Sequence, residues 1–260
     1  LREEWLIEHP FSDEIVRFHL EKSEAPRAEA EAAALSAIRT WRREYRHEPI
    51  AADDLSRLES LGGGALGVVV KGSAEAKELV DLAVESAVAH ANAKEIYSEL
   101  SSYLDHPKRG GDRRFGLESP VAERRGMRAL MWNRFSGPKT PLSKGYRAGT
   151  ITDVRDLLNQ APALVALKGD STSPRELIEV GIRYQRLRLE AYRLGLATQP
   201  VSMLPQMAES GAIDLPEAYR GLQLLIRVGL PMEEKRVPQG VREAVDALVV
   251  DSDNTEAAAD

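Results

Sequence analysis

The residues from Ser173 to Gly195 constrain this chain more than any others. Ser173 is suited to cap a helix, Pro174 to its first turn, and Gly195 to the stop beyond its last turn. Between them Leu177, Val180, Tyr184, Leu187, Ala191 and Leu194 recur at alternating intervals of three and four residues. Ile178, Ile182 and Leu189 add a second apolar row. An apolar face that wide must be buried along most of its circumference, so the helix belongs at the centre of a domain. The stretch after it, Leu194 to Ser202, is made of small and polar residues and reads as a loop with free backbone amides.

Around this helix the sequence gives few strands and several helices. Val68–Val70 is a short β-branched run after a glycine-rich stretch, and Ala163–Leu167 and Gly221–Gly229 are two further strand candidates. Ser73 can cap a long helix in which Val80, Val84, Ala87, Val88 and Ala91 recur at helical spacing. Ala28 to Arg46 reads as a helix stopped by Pro49, a short helix opens at Ala52-Asp53-Asp54, and another covers Asp153–Gln160. Long helices between few strands predict an α+β or α/β class with a small sheet and helices on both sides. Residues 28–250 form the expected domain, after an extension over 1–27. His106 to Gly149, rich in Gly, Pro and Arg, reads as an irregular lid, and 251–260 as an acidic tail.

Composition removes whole classes of chemistry. The chain has no cysteine, which excludes disulfides, thiolate metal sites and cysteine nucleophiles. Its five histidines are scattered without metal-ligand spacing. A net charge of -6 argues against nucleic acid as a partner of the whole molecule, and the basic stretch Lys108–Arg114 has just Phe115 beside it as a stacking group. No apolar run is long enough for a membrane span, and cytoplasmic is the default compartment. The start at Leu1 reads as an excised piece of a longer polypeptide or a processed start.

Candidate sites are basic. Arg39, Arg42, Arg43 and Arg46 follow spacings of three, one and three, which places them on one flank of a helix. Such a run is either a solvated helix end or an anion cradle, because guanidinium forks match phosphate oxygens. Lys235 and Arg236, past the last strand candidate, form a second basic pair. Walker loops, dinucleotide fingerprints and serine elbows are absent.

Together these segments resemble the FMN-dependent nitroreductase family. "AIRTWRREYRHEPIAADDL" is similar to its N-terminal Arg-x-Ser-x-Arg-x-Phe signature, with Arg39 and Arg43 at the arginine positions and Tyr45 at the aromatic one. The central helix and "GLATQPVS" resemble the family's long helix and flavin-contacting loop, and "LLIRVGLP…KRVP" its closing strand and basic tail. The resemblance implies a dimeric nitroreductase-like α+β fold with a small mixed or antiparallel sheet and FMN at the subunit interface. It implies that Arg39 and Arg43 hold the flavin phosphate and polar edge together with Lys235 and Arg236. Trp41 replaces the signature serine inside the same cradle, and Thr198 and Gln199 lie near the isoalloxazine. The implied activity is an NAD(P)H oxidoreductase, a flavoprotein passing hydride through FMN to a small-molecule acceptor such as a quinone, nitro compound or enone. Two departures, Trp41 and the absence of the family's segment before Val68, keep a second reading open: a nitroreductase-fold module without turnover, serving as a dimerisation or partner domain.

Overall fold

The computed structural model describes residues 2–5, 16–19, 26–62, 64–93, 95–96, 143–170 and 173–232. Contacts group the chain into one unit of 1–94 and 144–235 and a second of 95–143 and 236–260. The first unit carries the elements that follow. Inside the stretch read as an extension, β1 (Arg2–Trp5) pairs antiparallel with β2 (Val16–His19). The principal sheet contains β3 (Leu66–Val70), β4 (Ala163–Lys168), β5 (Ala197–Val201) and β6 (Leu222–Gly229) in the order β3-β4-β6-β5, each neighbour antiparallel. The helices are α1 (Pro26–Ala37), α2 (Ala52–Ser60), α3 (Ala74–Asn92), α4 (Lys144–Gln160), α5 (Pro174–Arg193) and α6 (Met203–Glu209). The class is α+β, as the sequence predicts.

The two central strands, β4 and β6, are nearly continuous apolar runs because both of their faces are covered. Val180, Leu187 and Ala191 of α5 form one buried cluster with Val165 and Leu167 of β4, Ile226 and Val228 of β6, and Leu58 of α2. Arg227, next to Ile226, faces the opposite side of the strand, where Val154, Leu157 and Leu158 of α4 line a pocket with it. Helices α4 and α5 therefore lie on opposite faces of the sheet.

The ends of α5 behave as the sequence predicts. Ser173 Oγ accepts from the Glu176 amide at 3.3 Å, and Gly195 turns the chain at φ +71°, letting the Leu196 amide reach Ala191 O at 2.8 Å. The apolar ladder is not uniformly buried, however: Leu177 is 43% exposed and Tyr184 is half-buried. Ser73 likewise caps α3 by accepting from the Ala76 amide at 3.0 Å, whereas Val88 on the same helix is 43% exposed.

Three expectations are corrected. Helix α1 ends at Ala37 instead of Arg46, so the arginine run is not helical. The stretch read as a loop after α5 is β5, an extended strand whose amides are partly engaged by β6. Helix α4 begins at Lys144 instead of Asp153, so 144–149 are not part of an irregular excursion. Gly145 and Gly149 make that helix intrinsically poor, yet docking on α3, where Arg147 Nη1 donates to Ala91 O at 2.7 Å, overrides propensity. The rest of the expected lid, 106–142, lies outside the described residues, as does the 251–260 tail.

Candidate functional site

After α1 the chain leaves helical structure and follows the edge of the sheet. Thr40 bridges Thr198 of β5 in a parallel sense, and the Trp41 amide donates to Thr198 O at 2.9 Å. Five residues on, Tyr45 bridges Pro231 antiparallel, and the Arg46 amide donates to Leu230 O at 2.9 Å. In an α-helix these amides would bond four residues back; here the sheet edge takes them. Trp41 and Tyr45 are buried, Arg42 and Arg43 half-buried, and Glu44 and Arg46 exposed, with a bend at Arg43. The arginines therefore lie on a non-helical segment tied to the sheet edge, not gathered on a helix flank.

Each predicted residue has a definite place. Arg39 is half-buried, and its Nη1 donates to Ser36 O at 2.6 Å and Ile38 O at 2.8 Å, closing the end of α1. Trp41 is 5% exposed, with its indole N–H donating to Glu44 O at 3.1 Å. The Arg43 guanidinium lies 5.7 Å from the Trp41 ring centroid. Thr198 is buried, and Gln199 is half-buried directly opposite Arg227 in the β5–β6 register. Arg39, Trp41, Arg43, Thr198 and Gln199 thus belong to two adjoining segments of one sheet edge. Lys235 and Arg236 lie outside the described residues; the described chain ends at Met232, just past the Tyr45–Pro231 bridge.

At the centre of this edge stands a residue the sequence reading passed over. Arg227 is fully buried. Its Nη1 donates to Gln199 Oε1, its Nη2 to Arg43 O at 3.3 Å, and its guanidinium lies 4.7 Å from the Tyr45 ring centroid. Among the described residues Nε has no hydrogen-bond acceptor and no carboxylate pairs with the charge. Burial pulls its pKa below the ordinary arginine value, and Tyr45 opposes the shift. The signal was present in the sequence: one charged residue inside the otherwise apolar run "LLIRVG".

Arg227 and Gln199 open on a pocket of about 190 Å³ between α4 and β5. Its apolar wall includes Val154, Leu157, Val201 and Met203, and no Asp or Glu among the described residues lines it. The sheet edge therefore presents cationic and amide donors against apolar surface. No group of His, Asp and Glu among the described residues could hold a metal ion, and no described helix is long and apolar enough to cross a membrane.

A four-stranded antiparallel sheet between helices, with a basic segment docked along β5, defines an α+β fold of the nitroreductase class. The chain is similar over its length to solved nitroreductases, and this is the fold it has. One is the FMN- and NADPH-dependent nitroreductase NfnB from Sphigopyxis sp. strain HMH, at 17% identity, 85% coverage of this chain, 97% of that chain and a TM-score of 0.51. A single-site variant of the same enzyme gives 18% identity, coverages of 85% and 98%, and a TM-score of 0.50. The FMN-dependent nitroreductase NfnB from Mycobacterium smegmatis, solved in complex with NADPH, gives 17% identity, coverages of 86% and 99%, and a TM-score of 0.48. No protein-family model matches the chain, and no curated protein matches it.

Proposed function

We propose that the chain is an FMN-binding oxidoreductase of the nitroreductase type, taking hydride from NAD(P)H and delivering it to a quinone, nitro or enone-like acceptor. One observation carries this reading. The Trp41 amide bond to Thr198 O joins the segment bearing Arg39 and Arg43 to the strand bearing Thr198 and Gln199. Residues far apart in sequence thereby converge on one edge of a nitroreductase fold.

The donor set fits an anionic cofactor with an amide rim. Arg39 has part of its fork engaged by the Ser36 and Ile38 carbonyls, and its remaining donors supply charge for a phosphate. Gln199 commits its oxygen to Arg227, which leaves its amide N–H groups as donors. Lys235 and Arg236 follow the strand that ends against Tyr45, and in this reading they complete the phosphate site. The pocket of about 190 Å³ is smaller than the roughly 300–1,000 Å³ of ordinary cofactor sites, which agrees with a flavin shared between two copies in a homodimer. FMN, when bound, supplies the hydride chemistry, and so no protein nucleophile is required. The chain's residues bind and orient it and exclude water.

A second reading, a nitroreductase-fold module without turnover, is favoured by Trp41. Its indole fills the interior where the family signature has a small hydroxyl residue, so that phosphate donor is missing. The purified chain separates the two. Saturable FMN binding with flavin-dependent oxidation of NADH or NADPH in the presence of a quinone supports the oxidoreductase. Protein that remains colourless and does not bind added FMN overturns it.

A further inference from the structure

We infer that Arg227 is a positioning residue of the proposed flavin site, fixing the Gln199 amide so that it presents only N–H donors to the bound cofactor. The inference rests on the flavin reading and deepens it, because it gives a role to a side chain that touches no ligand. A guanidinium carries N–H donors and no acceptor, so the Gln199 atom facing Arg227 is Oε1. Among the described residues this is the one bond that the Gln199 side chain makes. Without it the two branches of the amide, nearly equal in shape, would interchange by a half-turn of the last torsion. With it, the amide nitrogen is left for the occupant of the pocket that Gln199 lines.

Arg227 is itself held from several directions. Its Nη2 donates to Arg43 O at 3.3 Å, its guanidinium lies 4.7 Å from the Tyr45 ring centroid, and its backbone is in register with Gln199. Being fully buried, it acts on the site through Gln199 and not by contact. Its charge has no carboxylate partner among the described residues. An amide carbonyl bonded to a cation is polarised, which makes the N–H groups of the same amide stronger donors. A hydride from NAD(P)H delivers two electrons and one proton, so the accepting ring gains one negative charge while NAD(P)H leaves as NAD(P)+. Donors favour that charged product over the neutral oxidised ring, so Arg227 raises the reduction potential of the bound flavin.

The midpoint potential of bound FMN, measured in the purified chain, Arg227→Met, Gln199→Leu and the double variant, tests the assignment. Each single variant should lower the preference for reduced over oxidised flavin about 10-fold, which is about 30 mV for a two-electron couple. The double variant should go no lower than either, because both remove the same donor. A merely structural role would weaken FMN binding and leave the potential in place. Gln199→Glu adds a readout without cofactor: the new carboxylate compensates the buried cation, so the melting midpoint of FMN-free protein should rise. If Arg227→Met does not fold, Gln199→Glu carries the result, with the FMN-loaded potential falling because an acceptor replaces a donor. An unmoved potential, additive effects in the double variant, or a melting midpoint that fails to rise overturns the inference alone. Wild-type protein that binds no FMN overturns the flavin reading and the inference with it.

Discussion

The Tyr45 ring lies so close to Gly229 that a Cβ built on the glycine would sit 2.7 Å from the ring Cγ. The same Cβ would meet Pro162 Cδ at 2.7 Å, so neither side has room to give. Tyr45 is fully buried and its hydroxyl donates to Arg227 O at 3.2 Å. The ring is thus the pin that holds the basic segment to the end of β6. Gly229→Ala should destabilise the protein by about 1–3 kcal/mol through overpacking. Chemical denaturation compares it with wild type, and unchanged stability would show that the segment docks without the close approach.

Trp41 makes a second anchor of the same segment. With 5% exposure and an indole N–H committed to Glu44 O, it is an interior residue. Trp41→Ala should cost about 3–5 kcal/mol, the range for emptying a large aromatic site. A loss below about 1 kcal/mol would mean the indole contributes little to packing.

The flavin reading makes a sharper demand on Arg39. Its side chain both closes α1 and, as proposed, faces the FMN phosphate. Arg39→Ala should weaken FMN affinity by about 1.5–3 kcal/mol, the value of a charge-assisted hydrogen bond. Arg39→Lys should restore part of the affinity because it keeps the charge and loses the fork. Equal affinity of wild type and Arg39→Ala in a flavin fluorescence titration would remove Arg39 from the site.

A titration prediction concerns Tyr219, away from the basic edge. Its phenol is pushed up to about 12 by burial first, then by the charges of Glu78 and Glu75. The unfolded value is near 10, so the folded state holds its proton more tightly. The stabilisation is fully present below pH ~10 and is lost as pH rises through the folded value, about 12. Denaturation midpoints measured across that window should fall less steeply in Tyr219→Phe than in wild type. Parallel slopes would contradict the shift.

Much of the fold is legible in local sequence. Ser173, Pro174 and Gly195 mark the ends of α5 because caps and positive φ are requirements of one or two residues each. The apolar runs of β4 and β6 are visible because buried strands leave little room for polar residues, and β3 is visible by its β-branched run. The basic edge was half legible. Trp41 and Tyr45 are four apart, a spacing that suits a helix face and equally the inward side of an extended segment. Local pattern does not separate the two, and the helix reading failed there.

What the sequence by itself determined is the inventory: an α+β chain without cysteine, a central capped helix, and basic residues resembling a flavin cradle. The tertiary structure decided how that inventory is spent. The Trp41 and Arg46 amides bond to Thr198 O and Leu230 O, which are more than 150 residues away, and so the arginine run is not helical. Arg227 gained its meaning in the same way. In the sequence it is one charge in a strand; in the fold, β5 and the basic segment enclose it with neutral partners. Backbone hydrogen bonds must be satisfied somewhere, and only the assembled sheet edge fixes where.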